Sequence, residues 1–190
     1  MVVNLGVLAL QGNFQQHKHI LQSLGANTIY VRYPEELDKC DGLIIPGGES
    51  TTMSIQINRN ALREPLIQFS SKKSILGTCA GMIMLSTENS SNNVDPLGLM
   101  DFYINRNAWG RQINSFSDQL KLNFDKTNDF EGIFIRSPRI SKIGKDISVL
   151  ATYKDEPVMI TDGRHCVCSF HPELGNDYRI HSYFLDQINV

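Results

Sequence analysis

The chain has 190 residues, 41% of them hydrophobic, which suits one packed domain over residues 1–190 and excludes disorder along most of its length. A formal net charge of -2, from 18 Lys plus Arg against 20 Asp plus Glu, leaves no general field to hold a phosphate backbone, so nucleic-acid binding is not expected. Residues 1–10 lack the basic leader and cleavage pattern of a signal peptide, and no later segment reaches a run of ~18 apolar residues, so a soluble, cytoplasmic protein with no membrane partner is expected.

Residues 2–10 form a mainly apolar run that stops at Gly12, the pattern of a buried strand entering a turn. Phe14, Ile20, Leu21 and Leu24 suit one helical stripe over 13–24, with Asn13 as cap and Gly25 as terminator. A strand at about 28–32 completes a strand, helix, strand unit of the kind that builds parallel sheets. Gly42-Leu43-Ile44-Ile45 reads as the third strand and ends at Pro46-Gly47-Gly48, just beyond a strand's carboxyl end, where open α/β sheets place their ligands. Ser50 or Thr51 is expected to cap a helix through Met53, Ile55 and Ile57, and a further helix to cover 60–71. Residues 74–77 form the next strand and 80–85 have helical propensity. Cys79 thus falls at a strand-to-helix junction, on the same sheet edge as Gly47 and Gly48 if both strands are parallel.

Residues 88–98 are polar and turn-rich and read as a surface loop. From 99 to 170 the pattern changes to short alternating strands at 119–124, 132–136, 148–153, 157–161 and 164–170, expected as antiparallel additions to the parallel sheet. A last helix near 177–188 should bury Ile180, Phe184 and Ile188 by their four-residue spacing.

Three segments carry candidate chemistry. Gly77-Thr78-Cys79-Ala80-Gly81 surrounds a thiol with small residues, as a sharp turn needs if the thiol is to project while the next backbone N–H groups stay open to a carbonyl. The bland alternative is a small buried cysteine filling space under a Gly-rich turn. In Ser169-Phe170-His171-Pro172-Glu173, His171 titrates near neutrality and can accept and return the thiol proton, and Glu173 can orient the imidazole. A histidine before proline is otherwise ordinary loop material. Pro46-Gly47-Gly48-Glu49-Ser50 is either a tight turn with a helix cap or a set of free N–H groups for an oxyanion. Read jointly, three segments that each follow a strand supply nucleophile, base with orienter, and oxyanion donors. Cys40, Cys166 and Cys168 read as packed thiols, not metal ligands, and no metal site is expected. His17 and His19 point apart on a helix, His165 reads as a hairpin residue, and His181 as packing or a supporting hydrogen bond within the last helix.

The three segments resemble the signatures of class I glutamine amidotransferases. Leu8-Ala9-Leu10-Gln11-Gly12, Arg106-Asn107-Ala108-Trp109-Gly110-Arg111-Gln112, Phe134-Ile135-Arg136-Ser137-Pro138 and Phe170-His171-Pro172-Glu173-Leu174 resemble, more narrowly, the glutaminase-subunit family of pyridoxal 5'-phosphate synthases. The likeness covers essentially the whole chain, with Trp109, Ser137 and Gly175 standing where phenylalanine, alanine and threonine are usual. It implies a flavodoxin-like three-layer α/β sandwich with a mostly parallel central sheet. It further implies that Cys79 is the nucleophile, His171 the acid and base, and Glu173 its orienter, with Gly48 and Ala80 as oxyanion donors. Gly47, Gly48, Glu49, Arg106, Ile135 and Arg136 would then bind L-glutamine, Arg106 by the fixed fork that a guanidinium offers a carboxylate. By the same resemblance, ammonia would pass to a (β/α)8 synthase subunit, in an assembly of about twelve of each subunit in which docking activates the glutaminase. Pyridoxal 5'-phosphate would be the product of that complex and not a cofactor of this chain. A cysteine peptidase or deglycase on a related architecture gives no reason for His171-Pro172-Glu173 together with the Arg106 segment, and the intact triad argues against a non-catalytic scaffold.

Overall fold

The computed structural model describes residues 2–89, 93–105 and 115–188. In chain order the elements are β1 (Asn4–Leu8), α1 (Phe14–Ser23), β2 (Asn27–Val31), α2 (Pro34–Leu37), β3 (Gly42–Ile45), α3 (Ser50–Arg59), α4 (Arg63–Ser70), β4 (Ser74–Thr78) and α5 (Ala80–Leu85). Then follow β5 (Glu88–Asn89), β6 (Phe102–Asn105), β7 (Ser115–Leu122), β8 (Phe130–Ile135), β9 (Arg139–Ile143), β10 (Ser148–Tyr153), β11 (Glu156–Thr161), β12 (Cys166–Cys168), a 3₁₀ turn (Pro172–Leu174) and α6 (Arg179–Ile188).

Among the described residues nine strands form the main sheet, in the order β2-β1-β3-β4-β12-β11-β10-β7-β8. The half from β2 to β12 is parallel, and the strands beyond it pair antiparallel. Side-chain alternation divides the interior into two layers. Leu43, Ile45, Ile75 and Val167 face a core shared with Leu37, Met53, Ile57, Leu66 and Met82 of α2 to α5. Leu5, Val7, Ile44, Leu76, Cys166 and Cys168 face the other, shared with Leu21 of α1 and Ile180 and Phe184 of α6. Strands covered on both faces have no polar side to present, which is why β1, β3 and β4 read as continuous apolar runs.

Several elements differ from expectation. The segment expected as the last antiparallel addition, 164–170, contains only three strand residues, and these run parallel to β4 while pairing antiparallel to β11. β12 is therefore the seam between the two halves. The 88–98 segment is not simply a surface loop: Glu88–Asn89 pairs with β6, and Val94 and Leu97 are buried, with the Leu97 N–H donating to Met84 O at 2.7 Å. β5, β6 and β9 make a small separate sheet that the sequence pattern did not reveal, and α2 was also not foreseen. Ser50 and Thr51 do not cap α3; Glu49 does, its carboxylate accepting from the Thr51 and Thr52 N–H groups. Ile55 is exposed, while Ile188 is half-buried, its side chain occupying the space beside Gly42 where a Cβ would stand. Among the described residues no helix is long and apolar enough to cross a membrane.

Candidate active site

Two adjacent parallel strands and a third beside them deliver the site to one sheet edge. Ile45 pairs with Gly77 and Cys168 with Thr78, so the chain leaving β3, β4 and β12 emerges together as Gly47-Gly48, Cys79 and His171. The Cys79 N–H donates to Cys168 O at 2.8 Å, and the His171 N–H to Ile133 O of β8 at 2.8 Å, which ties nucleophile and imidazole to the sheet by backbone.

Cys79 has φ 48° and ψ -101°, a left-handed backbone that a residue with a side chain adopts at a cost of about 1–3 kcal/mol. The turn is held by close packing beneath it: a Cβ on Gly81 would lie 1.9 Å from Ile45 O. Gly47 is equally constrained, since a Cβ there would stand 2.5 Å from the His171 ring. The imidazole therefore rests directly on bare backbone.

His171 Nδ1 lies 2.7 Å from Glu173 Oε1, and both side chains are nearly excluded from solvent. The rigid 3₁₀ turn beginning at Pro172 makes the short His171 to Glu173 contact local. Burial opposes charge on His171, but the hydrogen bonds and charges of Cys79 and Glu173 outweigh it and raise its pKa to about 10. Burial likewise opposes charge on Glu173, and the His171 hydrogen bond, with the His17 and His171 rings beside it, brings it down to about 2. The pair is thus an imidazolium and a carboxylate near neutrality, oriented through Nδ1 so that Nε2 is free for the thiol.

Cys79, Ala80, Gly48, Glu49, Ile135, Arg136 and His171 line one cleft of about 450 Å³, with Asn13 and Pro138 also on its wall. The Cys79 thiol points towards Ile135 O, 4.0 Å away. Arg136 has φ 45°, and the Ser137 hydroxyl accepts from the Ile135 N–H at 3.1 Å, a turn that brings residues 135–136 to the cleft. Arg106 and Trp109 lie outside the described residues.

Four further residues belong to this neighbourhood. Asn13 makes no cap to α1; its Nδ2 donates instead to Glu173 Oε1 at 3.1 Å. The Gln11 amide donates to Glu49 O and accepts from the Glu49 N–H, holding the turn after Gly48, whose missing side chain makes room for it. His17 and His181, both fully buried, stand behind Glu173. The available signal for His17 was its place on the apolar stripe of α1 between Phe14 and Leu21, where a polar side chain must find an internal partner.

Glu49 gives a test of local architecture. Though it loses some hydration, the Thr52 and Thr51 N–H groups bring its carboxyl down to about 2. A cap's contribution should therefore be full above pH ~4.5 and lost as pH falls towards 2. Because Glu49 is exposed, Glu49→Ala should cost only about 0.5–1 kcal/mol, a Tm loss of ~1–4 °C at pH 7 that shrinks at pH 3. Thermal melts at the two pH values check it; a difference that is constant with pH would remove the charged cap.

Comparison with known proteins gives one consistent result. Residues 7–190 match the model of the SNO glutamine amidotransferase family. The protein named pyridoxal 5'-phosphate synthase subunit PdxT of Thermosipho africanus (strain TCF52B) is 47% identical, with 98% of this chain and 99% of that protein aligned. The PdxT of Oenococcus oeni (strain ATCC BAA-331 / PSU-1) is 43% identical over 97% and 96% of the two chains. A crystal structure described as a glutamine amidotransferase superposes with a TM-score of 0.92 at 38% identity over 98% of this chain and 99% of that one. PurLQS from Thermotoga maritima, 17% identical with a TM-score of 0.72, shares the fold. With a cysteine, a histidine and a carboxylate at one sheet edge and relatives aligned from end to end, this chain belongs to the SNO glutamine amidotransferase family.

Proposed function

We propose that this chain, as one domain over residues 1–190, is the glutaminase subunit of a pyridoxal 5'-phosphate synthase, with Cys79, His171 and Glu173 as its triad. The observation that carries the reading is the Cys79, His171, Glu173 series in a cleft whose walls include the turn after Gly48 and the 135–136 segment. The Cys79 thiolate attacks the side-chain amide carbon of L-glutamine, and the Gly48 and Ala80 N–H groups stabilise the oxyanion. His171 gives its proton to the departing ammonia, leaving a glutamyl thioester on Cys79. His171 then takes a proton from water, whose oxygen attacks the thioester and releases glutamate and the thiolate.

Gly48, Glu49, Ile135 and Arg136 border the space assigned to the amino-acid portion of glutamine, with Gly47 beside them under the His171 ring, and Arg106 is assigned its carboxylate. Free ammonia is protonated in bulk water and lost as a nucleophile, so the product is useful only if passed directly to a consumer. Relatives named as subunits of a pyridoxal 5'-phosphate synthase support a consumer within the same enzyme, assigned here as a (β/α)8 synthase subunit in an assembly of about twelve of each chain. The four unbonded thiols agree with a cytoplasmic setting. Glutamate formation should rise on the order of tenfold or more when the synthase subunit is added. Glutamate release measured with and without the partner tests this, and absence of activity in both would sink it.

A further inference from the structure

We propose that His17 and His181 are positioning residues for the glutaminase reaction: His181 fixes the tautomer of His17, and His17 donates to the second oxygen of Glu173. The proposal rests on the triad reading above. Glu173 Oε1 is occupied twice, by His171 Nδ1 at 2.7 Å and Asn13 Nδ2 at 3.1 Å. Oε2 is buried and, among the described residues, forms no hydrogen bond of ordinary length; the nitrogen that faces it there is His17 Nε2, at 3.5 Å. An ionised carboxylate oxygen in the interior requires a donor, and this nitrogen is the group placed to act as one.

The tautomers follow from elimination. His17 Nδ1 lies 2.9 Å from His181 Nε2, so one of the two carries the proton between them. If His17 Nδ1 carried it, a bare Nε2 lone pair would face the carboxylate, and a neutral His181 would hold its proton on Nδ1, a buried atom with no partner among the described residues. In the other arrangement His181 Nε2–H donates to His17 Nδ1, and His17 Nε2–H points at Glu173 Oε2 with the Thr78 hydroxyl 3.4 Å away. The unpartnered atom is then an acceptor, which is less costly to bury than a donor. Burial keeps both rings neutral: it lowers His17 against the opposing charge of Glu173, and takes His181 to about 3. A neutral donor steadies the carboxylate without cancelling the charge that His171 needs. α1 and α6, the helices that bear the two rings, pack on the same face of the sheet as each other.

The test uses the chain assembled with its synthase subunit. His17→Leu should lower kcat about 10- to 100-fold with KM for glutamine unchanged, the scale on which outer partners of a reacting group act. His17→Gln, which keeps a donor for Oε2, should restore most of that loss. The downfield proton resonance of His171 Nδ1–H should persist in the Gln variant and broaden or move in the Leu variant. His181→Leu should give a smaller loss, and the double Leu variant should be no slower than His17→Leu alone, because both act along one line. If His17→Leu does not fold, His181→Leu carries the test by the same readouts, a lower kcat at unchanged KM and a moved His171 Nδ1–H resonance, and full kcat with an unmoved resonance there would overturn the proposal. Full kcat in His17→Leu, equal losses in His17→Leu and His17→Gln, or additive losses in the double variant would overturn the proposal. A wild-type assembly no more active than Cys79→Ala would instead overturn the triad reading beneath it.

Discussion

Cys79→Ala should reduce glutamate formation by about 10⁴- to 10⁶-fold, the scale seen when a nucleophile is removed and only binding and oxyanion donors remain. The protein should stay folded, because the substitution removes one sulfur atom at the cleft wall and leaves the same strained backbone, φ 48°, occupied by a residue with a Cβ. Cys79→Gly separates the two contributions. It should be as inactive as the alanine variant but more stable by about 1 kcal/mol or more, since glycine adopts positive φ without strain. Strain at this residue then serves the projection of the thiol and not the stability of the fold. Radiolabelled glutamine should leave a thioester on the wild-type chain after acid quench and none on either variant. Glutamate formation by Cys79→Ala within tenfold of wild type would assign the chemistry elsewhere.

The parts of the fold that read clearly from sequence are those whose burial is decided locally. β1, β3 and β4 are apolar through their centres because helices cover both faces, and α1 and α6 carry stripes at helical spacing. β6 and β9 were not legible: each is short, and in β9 only Ile140 is buried, so their stability comes from pairing with each other across the chain. The direction of β12 was also hidden, since a strand's own residues do not record that one neighbour is parallel and the other antiparallel. The same distinction applies to the site. His171 and Glu173 sit two residues apart and announced their pairing, whereas Asn13 meets Glu173 across 160 positions and His17 meets His181 across 164. Asn13 in particular looked like an ordinary helix cap because the residue type that caps a helix is the same type that donates to a carboxylate.

Glu173→Gln should lower kcat about 10³- to 10⁴-fold at neutral pH, and Asn13 decides how. A glutamine side chain has one oxygen and one nitrogen to place at the two carboxylate positions. Two donors, Asn13 Nδ2 and His171 Nδ1, approach Oε1 against one, His17 Nε2–H, at Oε2, so the oxygen belongs on the Oε1 side and the amide nitrogen on the Oε2 side, where the His17 hydrogen bond is lost. The imidazole then keeps its orientation and loses the neighbouring negative charge. His171 is raised to about 10 by Cys79 and Glu173 together against burial, so removing one of them must lower it, and the alkaline limb of the pH–rate profile should move down. Removing Asn13 as well frees the amide to turn. With nitrogen facing His171 Nδ1, the ring must hold its proton on Nε2, where it cannot accept one from the thiol. Asn13→Ala in the Glu173→Gln background should therefore cost more activity than Asn13→Ala alone. Measured as kcat against pH for the four proteins of this cycle, a Glu173→Gln profile with the wild-type alkaline limb would show that the charge of Glu173 does not govern His171. Losses that multiply independently would remove Asn13 from its orienting role.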